Sequence, residues 1–265
     1  MKIYCVQLDI VWENKPANYD QVQRLLGAAK PEAGSLVLLP EMFATGFSMN
    51  VAAVREGGSQ ETETFLAQAA RQFDIYLIGG VVNGAADGRG RNEAVVFSPE
   101  GKRLARYCKM QPFTLGGEAR NYEAGEEIVT FNWQNCRVAP FICYDLRFPE
   151  LFRAAVRQGV QLFAVIANWP IMRIQHWVTL LQARAIENQA YVAGANRCGA
   201  DPKLTYNGRS LIVDPHGNIL SDAAHAQGVI SADVDLKALI AWRADFPALN
   251  DMRTERAPRP VLATP

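Results

Sequence analysis

A cysteine stands where an apolar run meets the start of a predicted helix. The segment FICYDLRFPE (141–150) carries its apolar run up to Cys143, and Pro149 and Glu150 then suit a first helical turn. A thiol just before a helix N-terminus can have a lowered pKa, and the backbone N–H groups there can bind an oxyanion. Cys143 is therefore a candidate nucleophile, although a single cysteine is more often an inert core residue.

A cysteine nucleophile needs a base, and histidine is the usual partner. His216 falls in a turn, His225 in a polar loop and His176 on a helix flank beside a tryptophan, so each is expected to be a surface or packing residue. Four further cysteines lack the strand-to-helix junction and are interpreted as structural: Cys5, Cys108, Cys136 and Cys198.

Two charged residues end other predicted strands. Glu41 follows the buried run LVLLP, and Lys109 closes RLARYCK. A desolvated charge is costly unless it is paired, so each could form a salt bridge at a sheet rim. Together with Cys143 they could instead meet at the C-terminal edge of the sheets, where open α/β folds place their sites.

The elements that would position these residues alternate between strand and helix. Strands are predicted at 2–8, 36–39, 75–82, 94–98, 103–109, 137–143, 161–167, 191–195, 211–213 and 219–220, and helices at 17–29, 60–73, 148–158 and 173–188. Ser59 is a candidate cap for the second helix. The alternation predicts α/β layers, and two βαβ-plus-hairpin halves predict two sheets related by an internal repeat.

Composition limits the classes of function. The chain has 265 residues, with 27 Lys+Arg and 27 Asp+Glu, so no excess charge points to nucleic acid or an anionic membrane. No apolar run is long enough to span a bilayer, and the N-terminus lacks the apolar core of a signal peptide. The cysteines have no paired metal spacing, and we expect reduced thiols in the cytoplasm. No Pro/Gly/Ser-rich linker divides the chain, which predicts one domain (1–265) with a C-terminal arm from about residue 246.

Three motifs resemble the signatures of the carbon–nitrogen hydrolase, or nitrilase, superfamily. They are LLPEMFATGF (38–47), YCKMQPF (107–113) and FICYDLRFPE (141–150), and NWP (168–170), ARAIENQAYV (183–192) and DPHGN (214–218) extend the likeness over nearly the whole chain. The resemblance implies a four-layer αββα sandwich with two central mixed sheets, and a catalytic triad of Glu41, Lys109 and Cys143. The family's second glutamate matches Glu118 best, with Glu123 as the nearby rival and a solvated loop carboxylate as the plain alternative.

The implied chemistry suits these residue types. Glu41 can take the thiol proton from Cys143 and give it to departing ammonia, while Cys143 forms a thioester. Lys109 and the backbone N–H of Tyr144 can stabilise the oxyanion. A lysine between two carboxylates should stay charged. No metal and no organic cofactor is expected.

Within the superfamily the likeness is closest to the omega-amidase branch, which hydrolyses the terminal amide of 2-oxoglutaramate and 2-oxosuccinamate. An acidic substrate needs a cation, for which Arg147 and Arg173 are candidates; an internal salt bridge is the favoured alternative for Arg147. Phe43, Tyr144 and Trp169 would wall the pocket, unless they serve only in packing.

The chain departs from the branch after Lys109, where many members have a histidine and this chain has MQPF (110–113). A general aliphatic amidase or an N-carbamoyl amino acid hydrolase would use the same triad, and nitrile hydrolysis is less favoured. A non-catalytic binding protein of the same fold is a further alternative. A cysteine redox enzyme would need a resolving thiol near Cys143, and Cys136 is roughly 23 Å away along an extended strand.

Family members are commonly dimers or larger assemblies, so the resemblance implies a homodimer or larger homo-oligomer. The helix after the nucleophile has an apolar face (Phe148, Leu151, Phe152, Ala155) that could be interface or core. The segment WRADFPALNDMR (242–253) could cross to a partner subunit.

Overall fold

The computed structural model describes residues 1–253, which form strands and helices in alternation. The strands are β1 (Lys2–Gln7), β2 (Leu36–Leu38), β3 (Tyr76–Gly84), β4 (Gly90–Phe97), β5 (Arg103–Cys108), β6 (Tyr122–Glu123), β7 (Phe131–Trp133), β8 (Cys136–Ile142), β9 (Leu162–Ala167), β10 (Tyr191–Asn196), β11 (Cys198–Ala200), β12 (Thr205–Asn207), β13 (Leu211–Val213), β14 (Ile219–Asp222) and β15 (Gly228–Asp233). The α-helices are α1 (Lys15–Ala29), α2 (Val51–Val54), α3 (Glu61–Phe73), α4 (Glu118–Asn121), α5 (Pro149–Val156), α6 (Ile174–Asn188) and α7 (Leu236–Asp245). Short 3-10 helices cover Thr114–Gly116, Cys143–Arg147, Ile171–Arg173 and Ala248–Asp251.

Two mixed sheets form the centre of the fold. The first has the order β15-β1-β2-β3-β4-β5, with β6 beside β4, and the second has the order β14-β13-β10-β9-β8-β7. In each sheet three parallel strands, β1-β2-β3 or β8-β9-β10, are continued on both sides by antiparallel strands. The predicted internal repeat is therefore confirmed at the level of topology.

The first sheet is completed by the far end of the chain. Strand β15 pairs with β1 from Lys2↔Asp233 to Gln7↔Gly228, in the place that β7 takes beside β8. The Val234 N–H donates to the Met1 carbonyl at 2.7 Å, which extends this pairing past the strand ends.

Alternation along the strands separates the layers. In β1, Ile3 and Cys5 face a core shared with the second sheet, whereas Tyr4 and Val6 face a core shared with α1 and α3. Helices α5 and α6 pack on the second sheet through Phe152, Leu181 and Ala185 among others. The order helix, sheet, sheet, helix confirms the αββα sandwich.

Several predicted element ends are corrected by the structure. Helix α1 begins at Lys15, because the Asn14 side chain accepts the Ala17 N–H at 3.1 Å and caps it there. Ser59 does not cap α3; the cap position is Gln60, which has φ 45° and no side-chain capping bond. The helix predicted at 148–158 spans only Pro149–Val156, and a separate 3-10 helix carries Cys143 before it.

The first part of the predicted C-terminal arm packs on its own body. The Gln189 side chain donates to the Phe246 carbonyl at 2.8 Å, and Leu249 and Met252 pack against the main core. Residues 242–253 therefore lie over the body of their own chain, and a contact of this segment with a partner subunit stays a prediction. The rest of the arm, 254–265, lies outside the described residues.

Within residues 1–253, no helix has both the length and the apolar character needed to cross a membrane.

Candidate active site

The candidate nucleophile sits on a sharp turn at the end of β8. Cys143 has φ 48°, a left-handed conformation that costs a non-glycine residue about 1 kcal/mol or more. The turn leaves the thiol half-buried at the pocket and directs the chain into the 3-10 helix Cys143–Arg147. The Tyr144 N–H lies in the first turn of this helix, where amides have no acceptor within the helix. It is therefore available to bind an oxyanion.

The carboxylate of Asp145 holds this turn in place. It accepts the Ile142 N–H at 2.9 Å, the Gln111 N–H at 2.9 Å and the Tyr107 hydroxyl at 2.7 Å, and it is fully buried. Burial raises the pKa of Asp145 to about 7, against the opposing effects of Lys109 and of these hydrogen bonds. Through Gln111 and Tyr107, Asp145 joins the turn of Cys143 to the strand that ends at Lys109. Sequence reasoning did not single out Asp145.

Glu41, Lys109 and Glu118 form one buried cluster. The Lys109 Nζ lies 2.9 Å from Glu41 Oε1 and 2.8 and 3.0 Å from the two oxygens of Glu118. Burial by itself lowers the pKa of Lys109, but Glu118 and Glu41 raise it well above its ordinary value. The ammonium group therefore stays charged, as the sequence predicts.

Two asparagines orient the Glu41 carboxylate. The Asn92 amide donates to Glu41 at 2.7 Å and to Glu118 at 2.8 Å. The Asn168 backbone N–H donates to Glu41 Oε2 at 2.9 Å, and its side-chain amide donates to the Glu41 carbonyl at 2.7 Å. Asn168 belongs to the NWP motif, whereas Asn92 carried no signal in the sequence because its role depends on β4 lying beside β3 and β5.

Close backbone packing also places Glu41. A Cβ added at Gly80 on β3 would lie 2.2 Å from the Met42 nitrogen and 2.8 Å from the Glu41 Cα. Only glycine lets the chain that carries Glu41 approach the sheet so closely.

Of the two candidate glutamates, Glu118 contacts Lys109 in this structure and Glu123 does not. Glu118 is fully buried, and it also accepts the Phe113 N–H at 2.6 Å. Glu123 is partly exposed and lies 3.6 Å from Arg91, in a separate polar cleft that Cys108 also lines. Its short strand β6 turns it away from the triad.

The thiol of Cys143 is not acidified in the resting site. Burial raises its pKa well above the ordinary value, the charge of Glu41 adds to the rise, and Lys109 offsets it only in part. The expectation of a lowered pKa is wrong, because burial of the thiol and the charge of Glu41 outweigh the charge of Lys109. Cys143 therefore needs a base to remove its proton.

One pocket surrounds the thiol and the ammonium group. It is lined by Glu41, Phe47, Lys109, Phe113, Cys143, Tyr144, Arg147, Asn168, Trp169, Pro170, Arg173, Leu204 and Tyr206. Of the predicted substrate-binding residues, the wall residues Tyr144 and Trp169 and the candidate cations Arg147 and Arg173 are present. Phe43 is not: it is fully buried against Tyr19 and Phe65 on the helix side of the first sheet. Phe47 takes its place, with its ring 5.3 Å from Lys109 Nζ.

Sequence reasoning missed other parts of the wall. Phe113 stands in the motif after Lys109 and packs on Tyr144 with ring centroids 5.0 Å apart. Leu204 and Tyr206 come from the hairpin of β11 and β12, which no motif marks. Their place at the pocket depends on how this hairpin folds over the sheet edge.

The two arginines at the pocket have no acidic partner within residues 1–253. The Arg147 guanidinium stacks 4.8 Å above Trp169 and lies 3.0 Å from His176 Nδ1. The Arg173 guanidinium lies 5.5 Å from the Phe113 ring. The internal salt bridge that the sequence favours for Arg147 is therefore absent from the described part of the chain.

In the range 1–253 no three His, Cys, Asp or Glu side chains are grouped to hold a metal ion, and all five cysteines are free. His176 contacts Arg147 rather than Cys143.

Comparison with known proteins agrees with this geometry. The family model described as carbon-nitrogen hydrolase matches residues 2–244. The chain is 39% identical over 255 residues to a Yersinia enterocolitica protein named omega-amidase YafV (95% of this chain, 96% of that one), and 30% identical over 254 residues to a Bacillus subtilis protein named 2-oxoglutaramate amidase (96% and 98%). A CN-hydrolase superfamily structure from Xanthomonas campestris, with an arsenic adduct in its active site, superposes with a TM-score of 0.89 at 31% identity (97% and 99%). The chain therefore belongs to the carbon–nitrogen hydrolase family and is a hydrolase of carbon–nitrogen bonds.

Proposed function

We propose that this enzyme hydrolyses the terminal amide of a small 2-oxo acid, such as 2-oxoglutaramate or 2-oxosuccinamate, and releases ammonia. The observation that carries the proposal is a pocket with Cys143 beside Lys109 and with two guanidinium groups, Arg147 and Arg173, that lack acidic partners among the described residues. Two charges left unpaired beside an aromatic wall favour an anionic ligand. The names of the Yersinia and Bacillus relatives support the same substrate class.

The first half of the reaction forms a thioester. Glu41 removes the proton of the Cys143 thiol, and the sulfur attacks the amide carbon. The oxygen of the tetrahedral intermediate is stabilised by the Lys109 ammonium and the Tyr144 N–H. Glu41 returns the proton to the nitrogen, the carbon–nitrogen bond breaks, and ammonia leaves.

The second half consumes one water molecule. Glu41 takes a proton from water, the resulting hydroxide attacks the thioester carbon, and the carbon–sulfur bond breaks. The proton returns to the thiolate, which restores Cys143 and releases the acid. Glu118 keeps Lys109 charged and fixed through both halves, since both of its carboxylate oxygens contact Nζ, at 2.8 and 3.0 Å.

Other amides remain as the second candidate. An aliphatic amide or an N-carbamoyl amino acid could use the same triad, and the loop that departs from the branch borders the pocket through Phe113. The aromatic groups Phe47, Phe113 and Trp169 are the feature that favours an apolar amide.

Ammonia release separates these candidates. We would assay 2-oxoglutaramate, 2-oxosuccinamate, glutamine, a plain aliphatic amide and an N-carbamoyl amino acid with the wild type and Cys143→Ala. We expect release from the oxo-acid amides, lost by at least about a thousandfold in the variant. Release from another amide alone would discard the oxo-acid assignment, and release that survives in the variant would discard Cys143 as nucleophile. No release from any amide would favour a binding protein of the same fold.

We further propose a cytoplasmic homodimer. Free cysteines suit a reducing compartment. The apolar face of α5 does not support the dimer, because Phe152 and Ala155 are fully buried in the core. Support comes instead from Ile171, Met172 and Ile186, which are exposed on α6 and on the turn before it.

A further inference from the structure

Arg147 is held at the pocket from two sides. Its guanidinium lies 4.8 Å above the Trp169 ring, and its Nη2 lies 3.0 Å from His176 Nδ1. Trp169 is itself fixed, because its indole N–H donates to the Arg173 carbonyl at 2.8 Å and its ring packs on Trp177. The remaining freedom of the Arg147 side chain is therefore limited by His176.

The contact defines the tautomer of His176. An arginine only donates hydrogen bonds, so the imidazole Nδ1 must be the acceptor and Nε2 must carry the proton. A neutral histidine orients the guanidinium without neutralising it. A carboxylate in the same place would cancel the charge on which an anionic substrate depends.

Arg173 lacks comparable support. Its guanidinium contacts the sulfur of Met172 at 3.2 Å and the face of Phe113 at 5.5 Å, and neither contact is a strong directional bond. Both arginines lie at the pocket, and only one is preorganised. Preorganisation improves binding because less side-chain entropy is lost when the ligand arrives.

We propose that His176 is a specificity-determining positioning residue, which holds Arg147 ready to bind the carboxylate of an anionic substrate. This inference rests on the proposed function, because it assigns the carboxylate-binding group of that same pocket. His176 acts through Arg147 and does not touch the reacting atoms.

The test compares His176→Ala with His176→Asn. Alanine removes the acceptor, whereas the Asn side-chain oxygen branches from the same carbon and can occupy the place of Nδ1. His176 is exposed, so neither change disturbs the core. For 2-oxoglutaramate we expect KM to rise roughly threefold to tenfold in His176→Ala with kcat nearly unchanged, and to stay near the wild-type value in His176→Asn. Gln175→Ala, on the same exposed turn and with its side chain bonded to Thr179, is the matched control.

A double-variant cycle identifies the route of the effect. In an Arg147→Ala background, His176→Ala should have no further effect on KM, because its partner is gone. If His176→Ala raised KM as much in this background as it does in the wild type, His176 would act without Arg147, and the inference would be overturned. A fall in kcat as large as the rise in KM would overturn it as well. So would a rise in KM for a neutral aliphatic amide as large as the rise for 2-oxoglutaramate.

A binding measurement separates this inference from the proposed function. The affinity of 2-oxoglutarate for Cys143→Ala, measured by calorimetry with and without His176→Ala, needs no turnover. A threefold to tenfold weaker affinity would support the inference even if the amide panel showed another substrate. An unchanged affinity would overturn the inference and leave the triad intact.

Discussion

Cys143 is the residue whose environment differs most from the sequence expectation. It follows a buried strand directly, adopts φ 48° and faces two carboxylates and one ammonium group. The left-handed conformation exposes the sulfur to the pocket while β8 stays buried. A thiol placed in this way is accessible, yet it is protonated until a base acts on it.

The first prediction concerns the pH dependence of this thiol. Because the pKa of Cys143 lies well above its ordinary value, the thiolate fraction should rise about tenfold per pH unit from about pH 6 to about pH 9, without a plateau. The rate of iodoacetamide modification, followed by mass spectrometry of the Cys143 peptide, measures this fraction. A plateau near neutral pH would contradict the assignment.

Glu41→Gln sharpens the same experiment. Removing the negative charge that raises the Cys143 pKa should speed alkylation at a given pH, while turnover falls by at least about a thousandfold for want of the base. Slower alkylation in the variant would show that Glu41, as a base for the thiol proton, speeds the reaction more than its charge slows it.

The second prediction distinguishes the two neighbouring glutamates. Glu118→Gln should lower kcat by roughly a hundredfold, because Lys109 loses one of its two anionic partners and with it the fixed position of its charge. Glu123→Gln is the matched control, and its kcat should stay within about twofold of wild type, as for surface changes away from a site. If the two variants reverse these roles, the second carboxylate is Glu123.

At the scale of elements, the site lies where strand ends of the two sheets meet. Lys109 follows β5 of the first sheet, Cys143 follows β8 of the second, and the Asp145 carboxylate accepts hydrogen bonds from the chain on both sides. These hydrogen bonds fix the end of the strand that carries Lys109 relative to the turn that carries Cys143.

The third prediction tests the hydrogen bonds through which Asp145 connects the two sheets. In Asp145→Asn an NH2 group replaces one carboxylate oxygen, so a donor faces the donors that Asp145 now accepts from. We therefore expect a loss of about 1–3 kcal/mol in the free energy of unfolding and a lower kcat. Tyr107→Phe removes only one donor and should cost about 1 kcal/mol. Urea unfolding and kcat measure both effects. Full kcat in folded Asp145→Asn would show that these hydrogen bonds have no part in positioning Lys109 and Cys143.

The fourth prediction concerns the approach of β3 to the chain at Glu41. In Gly80→Ala the new Cβ meets backbone at 2.2 Å, so Glu41 must shift; we expect about 1–3 kcal/mol of destabilisation and a marked fall in kcat. Gly27→Ala is the control, because no atom lies within 4 Å and the residue is inside α1. That change should stabilise the protein by about 0.5–1 kcal/mol, seen as a higher urea midpoint with unchanged kcat. Equal effects at both positions would contradict the packing argument.

At the scale of the whole molecule, β15 closes the first sheet and brings the end of the chain back to its beginning. The outer surface near α6 carries the exposed apolar residues Ile171, Met172 and Ile186. Burying them between two copies would remove apolar area from water, which is the main drive for association.

The fifth prediction is therefore a dimer in sedimentation at micromolar concentration. Ile186→Glu should shift it toward monomer, since a charge would enter the interface. Leu104→Glu, on β5 of the other sheet and also exposed, should leave the dimer intact. A wild-type monomer would refute the assembly, and dissociation by both variants alike would refute the location.

The sequence by itself predicted the main alternation of strands and helices and the internal repeat, and it named Glu41, Lys109 and Cys143 as the candidate triad. Apolar periodicity and strand-end charges are local properties, and each of the three motifs, with Glu41, Lys109 or Cys143, is a contiguous stretch of the chain. The choice of Glu118 over Glu123, the exclusion of Phe43 and the entry of Phe47, Leu204 and Tyr206 were decided only by the tertiary structure. So were the contacts of Asn92, Asp145 and His176. These depend on which strand ends and hairpins meet across the two sheets, and on burial and neighbouring charge, which no local pattern encodes.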